Sequence, residues 1–79
     1  MMEIKDGRVV FHDDVTLTDI AITRCDILVE GDTTVSLGEG ATVVDCYTMA
    51  FGPRDKDKPV FYIKDPTADV SGINIDVGP

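Results

Sequence analysis

Residues 8–46, RVVFHDDVTLTDIAITRCDILVEGDTTVSLGEGATVVDC, decide the fold class. Within this stretch Val9 and Phe11, Val15 and Leu17, Ile20 and Ile22, Ile27 and Val29, and Val35 and Leu37 stand two apart, and Val43 closes another β-prone run. A spacing of two puts each pair on one face of a strand, whereas a helix would need apolar positions three and four apart. Short polar clusters interrupt every run: His12-Asp13-Asp14, Asp19, Arg24-Cys25-Asp26, Glu30-Gly31-Asp32 and Gly38-Glu39-Gly40. The result is a series of short strands with almost nothing that could be a helix.

Two all-β architectures use such a pattern. The leading expectation is a small antiparallel barrel or sandwich of about six or seven short strands. In that reading Asp6-Gly7 is the turn of a first hairpin, since both residues tolerate positive φ, and residues 8–11 return beside Ile4. The alternative is a short β-solenoid-like fold. Phe11 and Val29 are 18 residues apart, as are Leu17 and Val35, and apolar pairs recur every 6 to 8 residues. One coil of a three-sided solenoid needs about that length. Against it, the pattern lapses after two coils, and about three repeats are the usual minimum for stability.

Beyond Cys46 the texture changes. Tyr47, Met49 and Phe51 alternate and project to one side of a strand; this stripe reads first as core and second as an interface. Residues 53–59 form a mixed-charge loop with proline at both ends, expected to be solvated and mobile, because proline supplies no donor to a sheet ladder. Val60-Phe61-Tyr62-Ile63-Lys64 is the longest uninterrupted strand candidate, stopped at Asp65-Pro66. The tail alternates again at Ile73, Ile75 and Val77, and could pair within the chain or along a partner's edge. Candidate interface residues are therefore Tyr47, Met49, Phe51, Arg54, Ile73, Ile75 and Val77.

Size and charge narrow the function. Seventy-nine residues make one domain, residues 1–79, and folding at this size buries only about 60% of the unfolded surface. So thin a core points to completion by oligomerisation or docking. Fifteen acids against seven bases give a net charge of −8, and residues 27–52 carry four acids and no base. That balance disfavours direct binding to nucleic acid or to an anionic membrane, which needs clustered Lys and Arg. Met1-Met2-Glu3-Ile4-Lys5-Asp6 has no apolar signal-peptide run, so the expected location is cytoplasmic or particle-associated. Cys25 and Cys46 then read as free thiols.

No catalytic constellation emerges. His12 beside Asp13 and Asp14 could form an acid–base pair, but no nucleophile or oxyanion donor can be placed near it, and a surface turn is the simpler account. Asp13, Asp14 and Asp19, or Asp55 and Asp57, could offer oxygen ligands, but the closing Glu of a calcium loop is missing. One His and two Cys leave a structural zinc site short of ligands. No cofactor or metal is implied. The expected function is a non-enzymatic structural or assembly protein, an acidic β-module that self-associates as a homo-oligomer or docks on a larger β-rich assembly such as a phage tail, fibre or capsid. The alternative is a small acidic inhibitor or regulatory module that occupies a basic site on a partner protein.

Overall fold

The computed structural model describes residues 1–78. Their alternating runs form eleven strands: β1 (Met2–Lys5), β2 (Arg8–Phe11), β3 (Val15–Leu17), β4 (Ile20–Thr23), β5 (Asp26–Glu30), β6 (Val35–Leu37), β7 (Thr42–Val44), β8 (Tyr47–Phe51), β9 (Phe61–Ile63), β10 (Asp69–Ser71) and β11 (Asn74–Val77). Each strand pairs with the one three places further along the chain, and every pairing is parallel. Sheet A has the order β1-β4-β7-β10, sheet B the order β11-β8-β5-β2, and sheet C the order β3-β6-β9. The chain thus winds as a three-sided parallel solenoid. This overturns the antiparallel barrel or sandwich.

The corners explain the difference. Asp6 has φ of 56°, and the equivalent residues of later coils, Arg24, Asp45 and Gly72, have φ of 51°, 55° and 62°. One left-handed residue, followed by one inward-facing residue, bends the chain into the next sheet without reversing it. Asp6-Gly7 is therefore a corner and not a hairpin turn, and β2 pairs with β5 instead of β1. At Gly72 the positive φ is joined by crowding, since a Cβ there would run into the Asp45 carboxylate.

Coil length grows along the chain. From sheet A to sheet B the step is constant: Lys5 to Arg8, Thr23 to Asp26, Val44 to Tyr47 and Ser71 to Asn74. Between sheets B and C the linkers lengthen from residues 12–14 to 31–34 to 52–60. The stagger between paired strands on sheet B rises accordingly from 18 residues (Arg8 to Asp26) to 21 and then 27. Phe11 does stack beside Val29, 18 residues on, but Leu17 pairs with Leu37 and Val15 with Val35, both 20 apart. A repeat sought at fixed length breaks off after two coils, although sheets A and B run to four strands.

Inside, in-register residues form columns: Ile4-Ile22-Val43-Val70 under sheet A, Val9-Ile27-Thr48-Ile75 and Phe11-Val29-Ala50-Val77 under sheet B, and Val15-Val35-Phe61 and Leu17-Leu37-Ile63 under sheet C. Ile22, Ile27, Val29, Val35, Leu37 and Val43 are fully buried. At the A–B corner Cys25 and Cys46 follow the same inward track, unbridged and buried. Each thiol points toward the coil before it, Cys25 Sγ to Ile4 O at 3.5 Å and Cys46 Sγ to Ile22 O at 3.6 Å. Burial pushes the Cys46 thiol pKa up. The strand expected over residues 60–64 is only Phe61–Ile63, because the amides of Lys64 and Asp65 both turn to Leu37 O, at 2.9 and 3.3 Å, and close it.

Candidate interaction surfaces

The three outer faces differ in chemistry. Sheet A presents Ala21, Thr23, Thr42, Val44, Asp69 and Ser71 outward, and sheet C presents Thr16, Ser36 and Tyr62. Sheet B carries the apolar face. Val10, Leu28 and Met49 lie in one register row across three strands, and Tyr47 and Phe51 flank Met49 on β8. Tyr47, Met49, Phe51 and Val10 are each 37–41% exposed. Charged and polar side chains rim the patch: Arg8, Asp26, Glu30 and Asp76 all fall on this side of the sheet. An apolar centre inside a polar rim is the composition of protein-binding surfaces. The alternation of Tyr47, Met49 and Phe51 is as read from sequence, but their direction corrects the core reading: Thr48 and Ala50 point inward, and the three large side chains point out. The Tyr47 hydroxyl donates to the Asp76 carboxylate, which holds the phenol pKa above its usual value.

Ile73, Ile75 and Val77 lie on the opposite side of the same sheet. They continue the inward columns, yet Ile75 is 43% and Val77 63% exposed. One edge of β11 pairs with β8; among the described residues its other edge has no strand and no side chains stack above it. Ile63 on β9 shares this position and is 50% exposed. Pairing within the chain therefore satisfies half of the tail's backbone and leaves its apolar side chains uncovered. The broad end formed by β9, β10 and β11 is the second apolar surface.

Arg54, the remaining interface candidate, reaches back across the loop to which it belongs. Its guanidinium donates to Gly31 O at 2.5 Å, Thr33 O at 2.9 Å, Pro59 O at 3.3 Å and Lys58 O at 3.4 Å. The planar, five-donor group suits such a cluster of carbonyls. Asp55 N adds a bond to Asp32 Oδ1 at 2.6 Å. These contacts fix the longest B–C corner to the shorter corner of the preceding coil. Beside it, residues including Arg54, Lys56, Val60 and Val77 enclose a groove of about 460 Å³ that opens onto the terminal coil.

His12 sits on the B–C corner of the first coil, its side chain 67% exposed, with Nδ1 2.5 Å from Glu30 Oε2. Asp14 Oδ1 accepts the Thr34 amide at 2.8 Å, so this carboxylate serves the corner. Among the described residues no group of three or more His, Cys, Asp or Glu is placed to hold a metal ion. Sequence reasoning did not single out Val10, Leu28 or Ile63 as surface residues. Val10 and Leu28 join Met49 only once parallel pairing is known, and Ile63 is exposed only because its column ends there.

Comparison with protein-family models, curated proteins and solved structures returned no match. The surfaces themselves therefore carry the functional reading.

Proposed function

We propose that the chain is a non-enzymatic assembly module, a short acidic β-solenoid whose packing is finished by another polypeptide. The observation that carries this reading is the exposure of Ile63, Ile75 and Val77, which face the solenoid axis and, among the described residues, have nothing stacked on them. In a solenoid each coil is buried by its neighbours, so a terminal coil with an apolar inner face needs a cap. The free strand edges of β9, β10 and β11 add unpaired donors and acceptors to the same end, a template for further strands. The apolar outer face of sheet B gives the module a lateral contact as well.

The test is amine cross-linking in the source cells, followed by identification of the joined peptides. Lys56, Lys58 and Lys64 belong to the terminal coil, so the expected products join these lysines to another polypeptide chain, a second copy or a different protein. Recovery of the chain only at its own mass, with no binding of an apolar dye to the purified protein, would sink the proposal.

A further inference from the structure

We infer that the occupant of the open end is a second copy of this chain, stacked head to tail, with the β1–β2 coil of one molecule laid on the β10–β11 coil of the next. This inference rests on the assembly reading and names the partner.

The first ground is backbone complementarity. At the A–B corner each coil repeats one bond: Asp26 N to Gly7 O at 2.8 Å, Tyr47 N to Cys25 O at 3.1 Å and Asn74 N to Cys46 O at 3.2 Å. In a parallel ladder successive residues turn their amide and carbonyl to alternate neighbours. The groups left over at the terminal edge are therefore Ile73 O and the amides and carbonyls of Ile75 and Val77. At the starting edge of β2 they are those of Arg8 and Val10. Placing Arg8 of the next copy over Asn74 puts its amide on Ile73 O and its Val10 amide on Ile75 O, repeating the internal bonds.

The second ground is shape. The A–B corner has the same step in every coil, so the first corner fits over the last. In that register Ile4 meets Val70, Gly7 meets Ile73, Val9 meets Ile75 and Phe11 meets Val77. The corner column runs Gly7-Cys25-Cys46-Ile73, and its missing side chain at one end faces its largest at the other. The column from Phe11 to Val77 sets its largest side chain, Phe11, against the smaller Val77. Ile4, Val9 and Phe11 are themselves only partly buried, so the contact covers apolar surface on both molecules.

The third ground is charge. Residues 27–52, which form most of the central coil, carry acids and no base, and every Lys and Arg falls outside them. Side-by-side packing would oppose like charges, whereas both ends carry both signs, with Glu3 over Asp69 the one like-charge pair that this register sets in a row. Four parallel strands span three gaps of about 4.8 Å, about 14 Å between the outer backbones, so the stack runs along the shortest dimension of a molecule that measures 34 × 24 × 19 Å. The ends are thus its broadest faces.

Sheet C has three strands where A and B have four. The junction therefore runs through sheets A and B and leaves one strand position open above Ile63. A head-to-tail contact of this kind does not close on itself and generates a series of oligomers.

The test is sedimentation velocity of the purified chain over a hundredfold concentration range, with two end-blocked variants. Val77→Lys puts a charge on the terminal face. Val10→Pro removes an amide that points to the free edge and takes part in no internal ladder bond. The wild type is expected to show a concentration-dependent ladder of species. Each variant alone stays single, and a mixture of the two gives a 1:1 dimer and nothing larger. Ile63→Lys, over the open strand position, leaves the ladder intact. Circular dichroism checks that each variant keeps its β signal; should Val10→Pro lose it, the wild-type ladder and the Val77→Lys arm still decide. A wild type that stays single at every concentration overturns the inference; lysine cross-links to a foreign protein in cells would then leave the assembly reading standing. A dimer formed by either variant alone points to a two-fold contact between like ends, and loss of the ladder in Ile63→Lys points to a rotated register; both overturn it.

Discussion

Leu37 and Ile63 occupy one column of the solenoid, in register on adjacent strands of sheet C, yet Leu37 is 0% and Ile63 50% exposed. The middle coil and the last coil are built from the same alternation, with the same inward spacing and similar side chains. What separates them is a neighbour. The middle coil has strands on both sides along the axis; the last has strands on one. In a solenoid, burial belongs to the stack more than to the individual residue, so identical sequence patterns differ in energetic weight according to their place in the order.

The largest consequence is the contrast between truncations in that column. Leu37→Ala removes a fully enclosed side chain between two coils and is expected to cost about 2–5 kcal/mol. Ile63→Ala, half-exposed, is expected to cost less than about 1 kcal/mol in the dilute single chain. Urea unfolding of both variants, followed by circular dichroism, measures the gap. Equal losses would break the comparison by showing that something covers Ile63.

A smaller effect lies where the two coils meet under sheet B. Thr48 is fully buried beneath Ile75, and among the described residues its Oγ1 is the one buried side-chain polar atom without a hydrogen-bond partner. A buried hydroxyl in that state forfeits its hydration with no return. Thr48→Val is expected to raise stability by about 1 kcal/mol, read as a higher urea midpoint at unchanged slope. A loss would show that the hydroxyl has a partner.

The smallest effect concerns the C–A corner that ties the last coil to the middle one. Asp65 Oδ1 accepts Thr67 N at 2.9 Å and Thr67 Oγ1 at 2.7 Å, and Thr67 Oγ1 in turn accepts Gly40 N at 2.9 Å. The Thr67 hydroxyl, with its amide, lowers the Asp65 pKa below the usual carboxylate value. A lowered folded-state pKa means stability that is present above the unfolded value and disappears as the pH falls through the folded one. Wild type should therefore melt higher than Asp65→Asn at neutral pH, by a margin that closes below about pH 4. A margin constant down to about pH 2 would mean that the carboxylate charge is irrelevant to the corner.

Much of this structure is legible in the residues themselves. Strand positions from Val9 to Val43, polar corners and the alternation of Tyr47, Met49 and Phe51, though not the side to which they point, follow from side-chain chemistry along a few residues of chain. The pairing partners do not. Period-two alternation is equally compatible with a hairpin and with a parallel coil, and Asp6-Gly7 serves a corner as well as a turn. The coil repeat was blurred because only the A–B corner keeps its length, while the B–C linker grows until Arg54 has to pin it to the preceding coil.

Local sequence determined that the chain would be all strand, acidic and thinly cored, since alternation, charge and length act on neighbouring residues directly. Tertiary structure alone decided that the strands run parallel in three sheets, that Val10, Leu28 and Met49 share one row, and that Ile63, Ile75 and Val77 face inward yet remain uncovered. Those outcomes depend on which coil lies next to which, a contact between residues 18 to 27 positions apart that no short stretch of chain encodes.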